Sequence, residues 1–195
     1  MISAVLLAAG ESRRMGKFKQ LLALGGKTFV ECCVDNLLAS RVDEILVVTG
    51  HREADVRSAI GNRSIRFAHN PDYRDGMSSS IKRGIGAISK GAHACLIALV
   101  DQPQIGPDVI NRVVETYKKD NPLIVIPTYE GRNGHPIILD LRLREEILAT
   151  GLREGLRQVV HSHSGEIARV EISTDAVLKD FDLPEDYERM LGRFG

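Results

Sequence analysis

Residues 8–19 read AAGESRRMGKFK, with two glycines, Gly10 and Gly16, and four cations, Arg13, Arg14, Lys17 and Lys19; Lys27 follows close behind. The stretch comes directly after an apolar run. Glycine lets backbone approach a ligand, exposed amides meet phosphate oxygens, and Arg or Lys side chains offset their charge. The chemistry this composition suits is the holding of a polyphosphate. A solvated basic turn has the same composition, so spacing must discriminate.

Two familiar phosphate loops do not fit. The Walker pattern wants four residues between its glycines and then Lys with Ser or Thr. Here five residues separate Gly10 from Gly16, and Phe18 follows Lys17. The dinucleotide pattern G-x-G-x-x-G fails because Glu11 and Ser12 follow Gly10 with no second glycine in place. What remains is a longer loop, with Gly10 supplying backbone freedom and Arg14 and Lys19 acting as separate cationic arms.

The elements that must position this loop show as short apolar runs alternating with amphipathic stretches, the βαβ pattern. AVLLAA, EILVVTG, IRFAHN, ACLIALV and LIVIPT read as strands, and the first, second and fourth are apolar enough to be buried on both faces. KTFVECCVDNLLAS and PDVINRVVETYKKD carry apolar stripes at helical spacing, the second starting at Pro107, a favourable first-turn residue. Residues 137–140 read as a further strand, LRLREEILAT and GLREGLRQVVHSHSG as helical, ARVEIS as the last strand, and the chain after Leu183–Pro184 as a helix. The expected fold is a single α/β domain over residues 1–195: a Rossmann-like open sheet, mixed but mostly parallel, with helices on both faces.

Open sheets of this kind bind ligands at the carboxyl ends of their strands. Asp101 follows ACLIALV and so stands at such an end. A carboxylate there can hold Mg²⁺ against a phosphate, although Asp in that place also caps turns. GMSSSIKRG puts hydroxyls at the start of a helix, where Ser78 or Ser79 can cap it or meet a ligand, and Gly76 permits close backbone approach. His161 and His163 fall on opposite sides of a helix and do not make a zinc pair. Asp180 and Asp182 share one side of an extended segment before the last helix, where Asp182 can serve as its cap.

Composition limits the partners. Lys plus Arg and Asp plus Glu number 26 each, so no global field favours nucleic acid or an anionic membrane. The apolar start from Ile2 to Ala9 is too short to span a bilayer and lacks the marks of a signal peptide. The expected compartment is the cytoplasm, and Cys32, Cys33 and Cys95 read as thiols there.

LAAGESRRMGKFKQLL resembles the opening signature of nucleotidyltransferases that join a nucleoside monophosphate to molybdopterin. GMSSSIKRG, LVDQPQI, GHPIIL and DFDLPEDYERML resemble later blocks of the molybdenum cofactor cytidylyltransferase family, in the same order and across nearly the whole chain. Phe18 and Leu183 depart from that pattern, standing where proline and threonine are common. The resemblance implies transfer of CMP from CTP to the phosphate of molybdopterin, with release of pyrophosphate and Mg²⁺ as cofactor. It implies nucleotide contacts from Leu7, Ala8, Ala9, Gly10, Arg14, Lys19, Gly76, Ser78 and Ser79, with Arg14, Lys19 and Asp101 catalytic. It further implies Asp101 and Asp182 on the metal, His135 on the substrate, and a molybdenum hydroxylase or its chaperone as partner. Competing readings are a cytidylyltransferase for another phosphorylated small molecule, a non-catalytic chaperone for the cofactor, and an oxidoreductase. The absent dinucleotide glycines argue against the last.

Overall fold

A computed structural model of the chain describes residues 1–194, with side chains through residue 191. Its strands are β1 (Ile2–Leu7), β2 (Ala23–Leu24), β3 (Lys27–Thr28), β4 (Glu44–Thr49), β5 (Arg66–His69), β6 (Ala94–Leu99), β7 (Ile124–Tyr129), β8 (Arg132–Asn133), β9 (Ile137–Asp140) and β10 (Ile167–Glu171). Its helices are α1 (Phe29–Leu38), α2 (Glu53–Ile60), α3 (Met77–Ala87), α4 (Pro107–Asp120), α5 (Arg144–Ala149), α6 (Gly155–Ser162) and α7 (Pro184–Phe194). The main sheet runs β10, β7, β9, β6, β1, β4, β5, with β8 paired to β7. Only β9 and β8 run against the rest. The fold is thus the expected α/β one, a mostly parallel mixed sheet with helices on both faces.

β1 shows why its sequence demands two covered faces. Ala4, Leu6 and Ala8 point into a core with Val34 of α1, Ile60 of α2 and Val113 of α4. Val5, Leu7 and Ala9 point the other way, to Ile81 and Ile85 of α3, Ile147 of α5 and Val159 of α6. All six β1 residues are buried, so alternation vanishes and the run reads as continuous apolar sequence. Gly84 lets α3 lie close on this sheet: a Cβ there would meet Val5 Cγ1 at 2.5 Å.

Local signals set the helix starts. Thr28 and Glu31 form a reciprocal capping box at α1, and Pro107 occupies the first turn of α4. The structure corrects some spans. LRLREEILAT is not one helix but a 3₁₀ turn at Leu141–Leu143 followed by α5, and GLREGLRQVVHSHSG is helical only from Gly155. The hairpin β2–β3 was not expected, because two-residue strands carry no periodic signal.

A third, small cluster sits at the carboxyl end of the sheet. It joins Met15, Leu22, Leu24 and Phe29 to Phe181 and Met190. Phe29 meets the rings of Phe181 and Tyr187 edge-on, at 5.9 and 5.8 Å. This packing fastens the C-terminal segment over the first loop. Among the described residues, no helix is long and apolar enough to cross a membrane.

Candidate active site

The chain runs from β1 outward to β4 and β5, then returns to the other side of β1 with β6. Reversal of strand order opens a crevice at the carboxyl ends of β1 and β6. A cleft of about 280 Å³ lies there, lined by Leu7 at the end of β1, Ala9 and Gly10 of the first loop, Gly76 and Ser80 at the start of α3, and Asp101 and Asp182 among others.

The first loop holds its shape through a buried side chain with no sequence signal of its own. Gln20 is 1% exposed. Its Nε2 donates to the carbonyls of Ala8 and Gly10, at 3.2 and 2.8 Å, and its Oε1 accepts from Ser12 Oγ at 3.0 Å. Ser12 Oγ in turn accepts from the Lys19 amide. Both ends of the loop are therefore tied to one amide group. The positive φ angles fall at Ser12 (56°) and Gly16 (66°), not at Gly10, so the expected freedom is used elsewhere in the loop. Arg13 turns outward to Glu11, which also pairs with Arg74 beyond β5.

Lys19, Asp101 and Asp182 converge at the floor. Lys19 Nζ lies 2.9 Å from Asp101 Oδ2 and 2.5 Å from Asp182 Oδ1, and its side chain is 12% exposed. Arg14, far more exposed, takes the other oxygen of Asp182 at 2.6 Å. Burial by itself would lower the Lys19 ammonium, but the two carboxylates outweigh it and hold it above its ordinary value. Asp180 is moved up instead, by desolvation first and then by the charge of Asp101, with Gln102 opposing through a 2.8 Å bond. The two arms expected to meet phosphate are thus, in this structure, counter-ions of the two expected metal ligands.

Two loops, the one after β6 and the one before β9, hold the segment that delivers Asp182 to this point. Gln104 Nε2 donates to the carbonyls of Ala176 and Lys179. The Phe181 amide donates to the Asp101 carbonyl at 3.0 Å, and the His135 amide to Val177 at 3.0 Å. His135 therefore helps seat the segment by its backbone, while its ring lies outside the lining of the cleft. Burial lowers that imidazole below its ordinary value, against the pull of Asp101.

The serines divide their tasks. Gly76, with φ 100°, is the N-cap of α3, and neither Ser78 nor Ser79 is. Ser79 Oγ turns inward, donating toward the carbonyls of Asp72 and Gly76 and accepting from Asn70. Ser78 Oγ faces Gly155, where a Cβ would come within 2.3 Å of it. Ser80 is the serine that lines the cleft, with its hydroxyl fixed by Asn70 Nδ2. Ala8 points its methyl into the opposite core and offers only its carbonyl, to Gln20.

Asp101 and Asp182 are the residues here that suit a hard divalent cation. Asp101 Oδ1 is buried and has no hydrogen-bond partner. No cluster of three or more His, Cys, Asp or Glu suited to a metal occurs among the described residues. Two carboxylates fit Mg²⁺, which commonly takes one or two together with substrate phosphates and water.

Residues 4–167 match the MobA-like NTP transferase domain. The chain belongs to that family. It is similar to the molybdenum cofactor cytidylyltransferase of Escherichia coli (strain K12), 27% identical over 95% of this chain and 93% of that one. It is equally similar to the nicotine blue oxidoreductase of Paenarthrobacter nicotinovorans, 28% identical over 97% of this chain and 96% of the relative. Among solved structures, a nucleotidyl transferase from Methanothermobacter thermautotroptrophicus superposes with TM-score 0.86 at 30% identity, covering 100% of this chain and 97% of that one. A Mycobacterium tuberculosis H37Rv protein in complex with manganese shares the fold, with TM-score 0.83, 24% identity and 98% of each chain covered. The match to the MobA-like NTP transferase domain ends before Asp180 and Asp182. Folding returns that later segment to the cleft of this nucleotidyltransferase.

Proposed function

We propose that this nucleotidyltransferase moves CMP from CTP to the phosphate of molybdopterin and releases pyrophosphate. The observation that carries the reading is the convergence of Lys19, Asp101 and Asp182 beside the first loop. An oxygen of the acceptor phosphate attacks the α-phosphorus; the bond from that phosphorus to the bridging oxygen breaks, and pyrophosphate leaves with the electron pair. The nucleophile is already anionic, so the site needs in-line positioning and charge neutralisation rather than a strong base. Lys19 and Arg14 supply the positive charge for the triphosphate. The loop clamped by Gln20 presents its amides to the same oxygens, and Gly76 and Ser80 border the nucleoside end. Asp101 and Asp182 hold the divalent cation, Mg²⁺ in this reading, which screens repulsion between the two phosphates.

The choice of acceptor rests on the ordered sequence blocks and on the Escherichia coli relative. The choice of CTP rests on Ala9, which borders the cleft and whose methyl narrows the space open to a purine. The similarity to nicotine blue oxidoreductase favours hydride transfer as a second reading, but paired carboxylates bridged by an ammonium have no evident part in moving a hydride.

The test incubates purified protein with Mg²⁺, molybdopterin and CTP, GTP or ATP, and measures pyrophosphate. Release with CTP that depends on molybdopterin is the expected result. Release with a different phosphorylated acceptor alone keeps the transferase and replaces the substrate. Cofactor binding with no pyrophosphate from any nucleotide replaces catalysis with carriage.

A further inference from the structure

We propose that Lys19 is an internal cation that occupies the divalent-metal position between Asp101 and Asp182, so that metal enters only when a nucleotide draws the lysine away. The inference rests on the reading of these carboxylates as the metal pair. Three observations lead to it. The ammonium touches one oxygen of each carboxylate, at 2.9 and 2.5 Å, which is the bridging place a shared cation would take. The remaining Asp182 oxygen is held by Arg14, so two negative charges already face two positive ones. A divalent ion added there meets the Lys19 ammonium at close range in a spot largely shielded from solvent, where repulsion is weakly screened, while the exposed Arg14 guanidinium adds a smaller, better screened opposition.

The stem of Lys19 cannot leave, because its amide is tied to Ser12 and the next residue, Gln20, is buried. Only the side chain can swing. Its anchor lies on the loop that presents amides to phosphate, so a triphosphate arriving there offers Nζ a new anion without moving the backbone. Arg14, on the exposed rim, can follow. The cations pass to the phosphates and the carboxylates pass to the metal. Each ligand then strengthens the other's binding by the same factor, as linkage requires. Premature metal loading, which would leave the arms without partners, is avoided.

Manganese serves as the probe, titrated into the full chain without nucleotide and followed by the resonance of the free ion. Lys19→Met should bind Mn²⁺ at least about tenfold more tightly than the native protein, within the usual range of coupling between sites. Lys19→Arg, which keeps the charge, should bind as weakly as native. Asp101→Asn added to Lys19→Met should abolish the gain and so assign the ion to this pair. If Lys19→Met does not fold, Lys19→Gln supplies the same comparison with a polar group left between the carboxylates. Equal Mn²⁺ affinity in native protein and the neutral variants overturns the internal-cation inference and leaves the metal pair standing. Failure of every protein to bind Mn²⁺, with or without CTP, overturns both.

Discussion

Asp101→Asn removes one negative charge while keeping size and turn chemistry, and the structure lets its two consequences be weighed separately. Lys19 loses its 2.9 Å partner but retains Asp182 at 2.5 Å. No buried charge is stranded, so the large cost of breaking an isolated buried pair does not apply. The stability loss should be about 1 kcal/mol, the upper end for one ion pair that solvent still partly screens. For a chain of this size that lowers the melting temperature by about 2–4 °C. Turnover should fall much further. A lost electrostatic stabiliser of phosphoryl transfer costs about 2.7–4 kcal/mol, or about 100- to 1,000-fold, if it resembles other preorganised groups that meet developing charge. CTP should still bind through Arg14 and Lys19. Melting and magnesium-dependent pyrophosphate release are measured on one preparation. Near-normal turnover beside a large drop in melting temperature would refute the metal role and make Asp101 a structural residue.

Gln20→Leu should leave the carbonyls of Ala8 and Gly10 without their donor, costing about 1–3 kcal/mol; steady-state kinetics should show a raised KM for nucleotide with a smaller change in kcat. Ala9→Gly should narrow the preference for CTP over GTP, since one methyl is worth about 1–3 kcal/mol in a pocket; competing nucleotides in the pyrophosphate assay measure the ratio. His163 bridges Glu146 and Glu166 at 2.8 and 3.0 Å, and the hydrogen bonds it donates to Glu166 and then Glu146 raise its imidazole above the ordinary 6.5. The stability it contributes is fully present below that ordinary value and is lost as pH rises through the raised one. His163→Gln should therefore melt lower than native protein in mild acid and approach it above the raised value, a trend that thermal scans across pH would show.

Alternation of apolar runs with helical stripes was enough to place the main strands, because burial on both faces of β1, β4 and β6 leaves a local mark in each run. The loop that carries Gly10, Arg14 and Lys19, and the strand-end position of Asp101, were legible for the same reason. The direction of β9 was not, since a strand's side-chain pattern is the same whichever way it runs. Nor was the choice among the serines: GMSSSIKRG offers three hydroxyls, and only the pitch of α3 against Asn70 and Gly155 turns Ser79 inward, Ser78 aside and Ser80 to the cleft. Gln20 reads as an ordinary polar residue until the loop closes and its amide is the donor within reach of two carbonyls. Lys19 and Asp182 stand 163 positions apart, yet they meet at 2.5 Å because Phe181 packs on Phe29 and the DQPQ turn grips the segment between. Residue types and short-range spacing set which groups were available; the sheet's closure around β1 set which of them face one another, because a contact across the whole chain is decided by packing and not by periodicity.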